Sequence, residues 1–141
     1  MRRGLGRGRA LIGIGALLAL VGIWLPWYTV GGEVLPALTG SGFDGAGVLV
    51  FLAAVAMLGV LALPYASRTR SSAFDRAAVF AALVLVGVIG LAIEAWTQFT
   101  AQPESRLGGP LEAPGLWLSG IGLVLAAWGT AELAAEKPPP L

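Results

Sequence analysis

The chain has 141 residues, of which 57% are hydrophobic and 12% charged, and its formal net charge is +1. A soluble domain carries about 25% charged residues, so this composition argues against one and points to a membrane protein. Cysteine and histidine are both absent, which excludes disulfides, thiolate chemistry, the common zinc sites and histidine-ligated haem.

The N-terminal stretch holds Arg2, Arg3, Arg7 and Arg9 and leads into the first apolar run, residues 10–30. A basic start followed by an apolar run also describes a signal peptide. This run is long for one, and it ends in bulky Trp24, Leu25, Trp27 and Tyr28 with no small-residue cleavage site. It is therefore expected to be a permanent helix. Trp24 and Trp27 would close it at the headgroup layer, where amphipathic rings are favoured, with Pro26 tolerated in the final turn. The alternative use of this aromatic group is a recognition surface, since it meets the Gly-rich loop that follows.

That loop, residues 31–44, contains Val34, Leu35, Leu38 and Phe43 and few charges. It is expected to fold back as part of a small cap with those four side chains partly buried. Residues 45–65 form the second apolar run and end at Tyr65. A short loop, 66–73, carries Arg68 and Arg70, and Arg76 follows closely. Such arginines can hold anionic lipid headgroups at about 1 kcal/mol each. Ser72 and Asp75 have capping-box spacing and predict that the third helix starts at Ala73.

The third run covers residues 74–97 and ends at Glu94 and Trp96, and a second Gly/Pro-rich loop covers 98–112. Residues 113–133 form the fourth run, which opens on Gly115, Leu116 and Trp117; the chain then ends in a proline-rich tail. A bilayer core about 30 Å thick takes about 20 helical residues, and all four runs are close to that length. The runs are continuously apolar, without the alternation of a membrane β-barrel. The expected fold is an all-α integral membrane protein: one domain, residues 1–141, forming a bundle of four transmembrane helices with two loops making an outer cap.

Eight basic residues fall on one side of these spans and only Arg106 on the other. The positive-inside rule then places both termini in the cytoplasm of a bacterial inner-membrane protein. A faint repeat aligns Asp44 with Glu112 and Gly47 with Gly115. It puts each carboxylate just before a helix N-terminus, where the macrodipole favours negative charge.

Lipid provides no hydrophobic drive to join helices, so small residues mark the close contacts. Gly115, Ser119, Gly122, Ala126 and Gly129 lie on one stripe of the fourth run. Gly8, Ile12, Gly15, Ala19 and Gly22 repeat that spacing in the first. The two stripes are the expected contact faces, within one chain or between chains. Ala77, Ala78, Ala81 and Ala82 offer a smaller face on the third run.

The search for chemistry is mostly negative. No ionisable residue falls at the centre of a span, as a transporter or proton relay would need. Glu94 is the nearest and belongs to the outer interface. It is expected to snorkel or cap a loop with Thr97 and Gln98, or else to exchange protons or pair with Arg106. No serine sits in a glycine elbow and no lysine lies within a span. GLGRG is not a phosphate loop. The acidic residues Glu33, Asp44, Glu104 and Glu112 lack calcium-ligand spacing. No catalytic residue, cofactor, metal site or nucleic-acid partner is expected.

Trp27 at the end of the first run, Thr39 and Gly40, the Arg68–Arg76 loop, and Gly115, Leu116 and Trp117 with Gly120 and Gly122 carry a resemblance. In these the chain is similar to small four-helix membrane proteins common in actinobacterial-type genomes, and weakly to the family of tryptophan-associated membrane proteins. The resemblance implies the four-span layout; it names no biochemical activity, because the family's biochemical role is itself unknown. The layout also resembles claudin-like tetraspan proteins, whose first outer loop carries a cysteine pair that this chain lacks. Exclusion of chemistry leaves a non-enzymatic accessory protein, packing with itself or with other membrane subunits and lipid, whose outer cap docks a partner or lipid. Two alternatives accompany it. One is a small dimeric transporter, similar in its four short spans to multidrug-resistance transporters, which carry a glutamate in the first helix where this chain has none. The other is a lipid-binding protein with a groove beneath Trp24 and Trp27.

Overall fold

The computed structural model describes residues 6–30, 34, 36, 38–66, 77–101 and 113–136. Four helices dominate it: α1 (Arg7–Trp24), α2 (Gly47–Ala66), α3 (Ala77–Ala101) and α4 (Pro114–Ala135). By length and composition α1, α3 and α4 are long and apolar enough to cross a membrane, whereas the apolar stretch of α2, Gly47–Leu63, is shorter. Between α1 and α2 lies an element that the all-α expectation did not contain. Strands β1 (Pro26–Val30) and β2 (Leu38–Ser41) pair as an antiparallel ribbon, and a single 3₁₀ turn, Gly42–Asp44, leads into α2.

Pro26 explains the difference. A residue before proline is driven out of the helical region by the proline ring, and Leu25 is extended at φ −83° and ψ 157°. Its amide is satisfied by the Gly22 carbonyl at 3.2 Å, so the helix stops at Trp24 and does not run to residue 30. The next residues, Trp27, Tyr28, Thr29 and Val30, are aromatic or β-branched and suit a strand. The other boundaries move less. The expected start of α3 at Ala73 and the loop of Arg68, Arg70 and Arg76 lie outside the described residues, as does the proline-rich tail. At its far end α3 continues to Ala101, past the expected limit at 97. There Thr97 and Thr100 turn their hydroxyls back onto the carbonyls of Glu94 and Trp96, at 2.8 and 2.9 Å, so polar residues remain within the helix. Pro114 opens α4 in its first turn, where a missing N–H costs nothing.

The helices form a ring in chain order, with α4 closing against α1 in the most extensive contact of the fold. Its faces are the two small-residue stripes. Gly8, Ile12, Gly15, Ala19 and Gly22 are buried on α1, and Gly115, Ser119, Gly122, Ala126 and Gly129 on α4. Glycines oppose each other in three tiers, Gly8 with Gly129, Gly15 with Gly122 and Gly22 with Gly115. The backbones approach so closely that a Cβ on Gly122 would stand 2.5 Å from the Gly15 carbonyl oxygen and 2.6 Å from the Ala19 amide. Ser119 adds a buried hydrogen bond, its hydroxyl donating to the Ala19 carbonyl at 3.3 Å. At the end of this contact Arg7 and Glu132 form an ion pair at 3.4 Å, and Trp128 donates to the same carboxylate at 3.1 Å.

Larger residues fill the middle of the ring, including Ile12, Val50, Met57, Phe80 and Leu123. The helix exteriors are also apolar, with Leu17 and Val21 on α1, Leu52 on α2, Leu85 and Ile89 on α3, and Val124 on α4 all exposed. Large apolar residues outward and glycine at the closest helix contact is the arrangement that lipid favours and water does not.

Two glycines should respond oppositely to alanine. Gly122→Ala must push α1 from α4 and is expected to destabilise the fold by about 1–3 kcal/mol. A Cβ on Gly59 meets nothing within 4 Å, so Gly59→Ala should be neutral or gain up to about 1 kcal/mol. Titration of detergent-solubilised protein with sodium dodecyl sulfate, followed by circular dichroism, measures both. Equal midpoints would show that the glycine tiers do not limit stability.

Candidate functional site

The residues with the most distinctive environments gather where the β-ribbon meets the helix ends. Trp27 organises them. The ribbon's register slips between Pro26 and Tyr28, and Trp27, at the irregularity, is only 1% exposed. Its indole N–H donates to the Gly22 carbonyl at 2.9 Å, one of the acceptors left free where α1 ends. Gly42 and Gly115 lie against the ring, and a Cβ on either would crowd it. Trp27 is thus a buried pin and not part of an exposed interfacial belt. Trp24 and Trp27 do not share a face, because helical periodicity ends between them.

Trp24 stays outside, 71% exposed. Its ring meets Phe43 edge-on at a centroid distance of 5.0 Å, and Phe43 contacts Phe51 of α2 at 5.2 Å. Such pairs add about 0.5–1.5 kcal/mol beyond their area, so the 3₁₀ turn is held to both helices. Tyr28 is half-buried and covers Gly40, where a side chain would overlap its ring. Trp96 and Trp117 are exposed on α3 and α4.

The partial burial expected for the first loop fails at Val34 and Leu38, and Phe43, at 38% exposure, is the best covered of the described three. Val34 is 96% exposed and Leu38 71%, while Leu35 lies outside the described residues. β1 packs on α1 and α4, but β2 packs mainly on β1 and the 3₁₀ turn. A two-stranded ribbon has no second layer to cover its distal residues.

Glu94 is the one buried charged residue among those described, at 6% exposure. Its carboxylate accepts a hydrogen bond from the Ala46 amide at 2.8 Å and another from the Gln98 side-chain amide at 3.1 Å. Ala46 immediately precedes α2, so a side chain of α3 satisfies the start of α2, and Gly45 leaves room for it. Thr97 bonds the Glu94 backbone carbonyl and not its carboxylate. Asp44, expected just before a helix N-terminus, ends the 3₁₀ turn that leads into α2. Asp44 accepts from the Ser41 amide at 2.6 Å and closes a capping box on the 3₁₀ turn, leaving Glu94 to serve α2. Arg106, the other partner considered for Glu94, and the acids Glu33, Glu104 and Glu112 lie outside the described residues.

Sequence reasoning did not identify Ala46, Phe51 or the Arg7, Glu132 and Trp128 cluster. Only the last had a local signal, the four-residue spacing of Trp128 and Glu132 on one helix. Among the described residues no three potential metal ligands gather. In this arrangement Trp27 holds the base of β1 to α1 and α4, and Glu94 of α3 holds the segment that leads into α2.

Removing the Glu94 carboxylate should loosen the start of α2. Glu94→Leu leaves the Ala46 amide without its acceptor, a loss of about 1–3 kcal/mol, whereas Glu94→Gln retains an acceptor oxygen and should lose less. Hydrogen–deuterium exchange across residues 45–48 reads this directly. Unchanged protection in Glu94→Leu would show that water or another group already serves that amide.

No protein-family model, no curated protein and no solved structure matches this chain.

Proposed function

We propose that the chain is a non-enzymatic structural or accessory protein of the bacterial cytoplasmic membrane that packs with copies of itself or within a larger membrane complex. The observation that carries this reading is where its buried polar groups are directed. Among the described residues these are Glu94, Ser119 and Thr130. Glu94 accepts from the Ala46 amide, Ser119 donates to the Ala19 carbonyl and Thr130 donates to the Ala126 carbonyl at 2.7 Å. Each serves this chain's own backbone. Groups that bind or transform a substrate are instead arranged around a space that the substrate fills.

Orientation follows from the basic residues. Arg2, Arg3, Arg7, Arg9, Arg68, Arg70 and Arg76 would face the cytoplasm and contact anionic lipid, with both termini on that side. The α1 and α4 stripes are occupied by each other, so contact with other subunits would use the outward faces of the helices. Gly59 and Ala62 on α2 and Ala78 and Ala82 on α3 are exposed and would let a neighbouring helix approach.

The test is affinity purification of the tagged full chain from native membranes in mild detergent, followed by mass spectrometry of the intact particle. An assembly of fixed stoichiometry, of this chain alone or with other subunits, is the expected result. A monomer in every mild detergent tried would overturn the proposal.

A further inference from the structure

We propose that the β1–β2 ribbon is itself a membrane element, lying in the headgroup layer of the phospholipid bilayer with Val34 and Leu38 against lipid. This rests on the reading that the bundle spans a bilayer.

Three observations lead to it. The first is continuity. Trp24 occupies the last turn of α1, is exposed, and meets Phe43 edge-on just beyond β2. The outward surface of a spanning helix thus passes into the ribbon through an aromatic contact, at the depth where tryptophan prefers to sit. The second is charge. Between Leu25 and Phe43 the sequence has a single charged residue, Glu33. Ribbons that stand in water protect their open edges with charged side chains, lysine above all, and this one has no lysine. The third is exposure. Val34 and Leu38 are among the most exposed apolar side chains described, and none of the described residues covers them. Two such exposed apolar residues, Leu38 at the start of β2 and Val34 in the connection before it, are poorly suited to water and well suited to the headgroup boundary.

The same physics limits the depth. Each strand of a two-stranded ribbon has an outer row of unpaired N–H and C=O groups, and hydrocarbon does not tolerate such an edge. At the headgroup layer water and lipid esters satisfy those groups while the apolar side chains reach the acyl boundary. The attachment suits that position. Trp27 fixes the base of the ribbon to the end of α1 through Gly22, so the ribbon cannot drift from the bilayer surface.

The absence of cysteine allows single thiols to be placed in an otherwise unchanged full chain. Val34→Cys, Leu38→Cys and, at the exposed middle of α3, Ile89→Cys would each be labelled with a nitrobenzoxadiazole fluorophore. The labelled proteins would be reconstituted in vesicles of phosphatidylcholine and phosphatidylglycerol. Quenchers are lipids with a nitroxide near the headgroup, lipids with a nitroxide near the chain end, and aqueous iodide. Labels at 34 and 38 should be quenched by the shallow nitroxide at least about twofold more than by the deep one. The label at 89 should show the reverse order. If the 89 label behaves so while those at 34 and 38 respond only to iodide, the ribbon stands in water and the inference fails alone. If those two labels respond to no quencher, protein covers them, and the inference fails in favour of a partner. If the 89 label escapes the deep nitroxide, the membrane-spanning reading fails, and this inference with it.

Discussion

The backbone-to-backbone contact of α1 with α4 is the constraint on which the rest of this structure depends. In lipid, two helices gain nothing by hiding apolar surface, so they associate only if their atoms pack more closely than lipid would. Glycine makes that possible by removing the side chain that holds the axes apart. Here the glycines recur every seven residues on both helices and meet in three tiers. A seven-residue repeat keeps two helices in register over a long, shallow crossing, as in left-handed coiled coils. Ala19, Ala126 and Ser119 fill the intervals, and the large residues are displaced to the middle of the ring and to its outside.

The last tier, Gly22 with Gly115, also sets the position of everything beyond the helices. Because Gly22 ends the contact, its carbonyl is available to the Leu25 amide and the Trp27 indole. Because Gly115 has no side chain, the indole fits above α4. From Trp27 a chain of contacts runs to Gly42, and from Phe43 to Trp24 and Phe51. The segment then passes Gly45 and reaches Glu94 at Ala46. The connection between α1 and α2 is therefore held at both ends, by a neutral hydrogen bond near α1 and a charged one near α2.

Much of this was legible in the sequence because it depends on composition and on spacing within one helix. The four apolar runs and the two small-residue stripes are properties of that kind. Trp27 was not legible. An indole after an apolar run reads equally as a lipid anchor or a buried pin, and the choice depends on where the helix stops, which Pro26 decides through the conformation of Leu25. The ribbon had local signals, a Tyr-Thr-Val run and a Gly-Gly pair at residues 31 and 32, but they sat inside a pattern already assigned to helix and loop. Glu94 could be placed near an interface, yet its partner is a backbone amide 48 positions away, and an amide has no signature in sequence. Val34 and Leu38 read as partly buried because apolar residues in a loop suggest a small core, an inference that assumes water outside.

The position of Glu94 follows from a backbone requirement at the start of α2. The first amides of a helix have no partner within it, so at the start of α2 they need acceptors where water is scarce. The 3₁₀ turn and its capping box cover the approach to this start, and Glu94 provides the acceptor for Ala46 itself. A carboxylate suits this place better than a neutral amide because the helix dipole is positive there. Among the described residues the buried carboxylate therefore sits at the start of α2, where a backbone amide requires an acceptor.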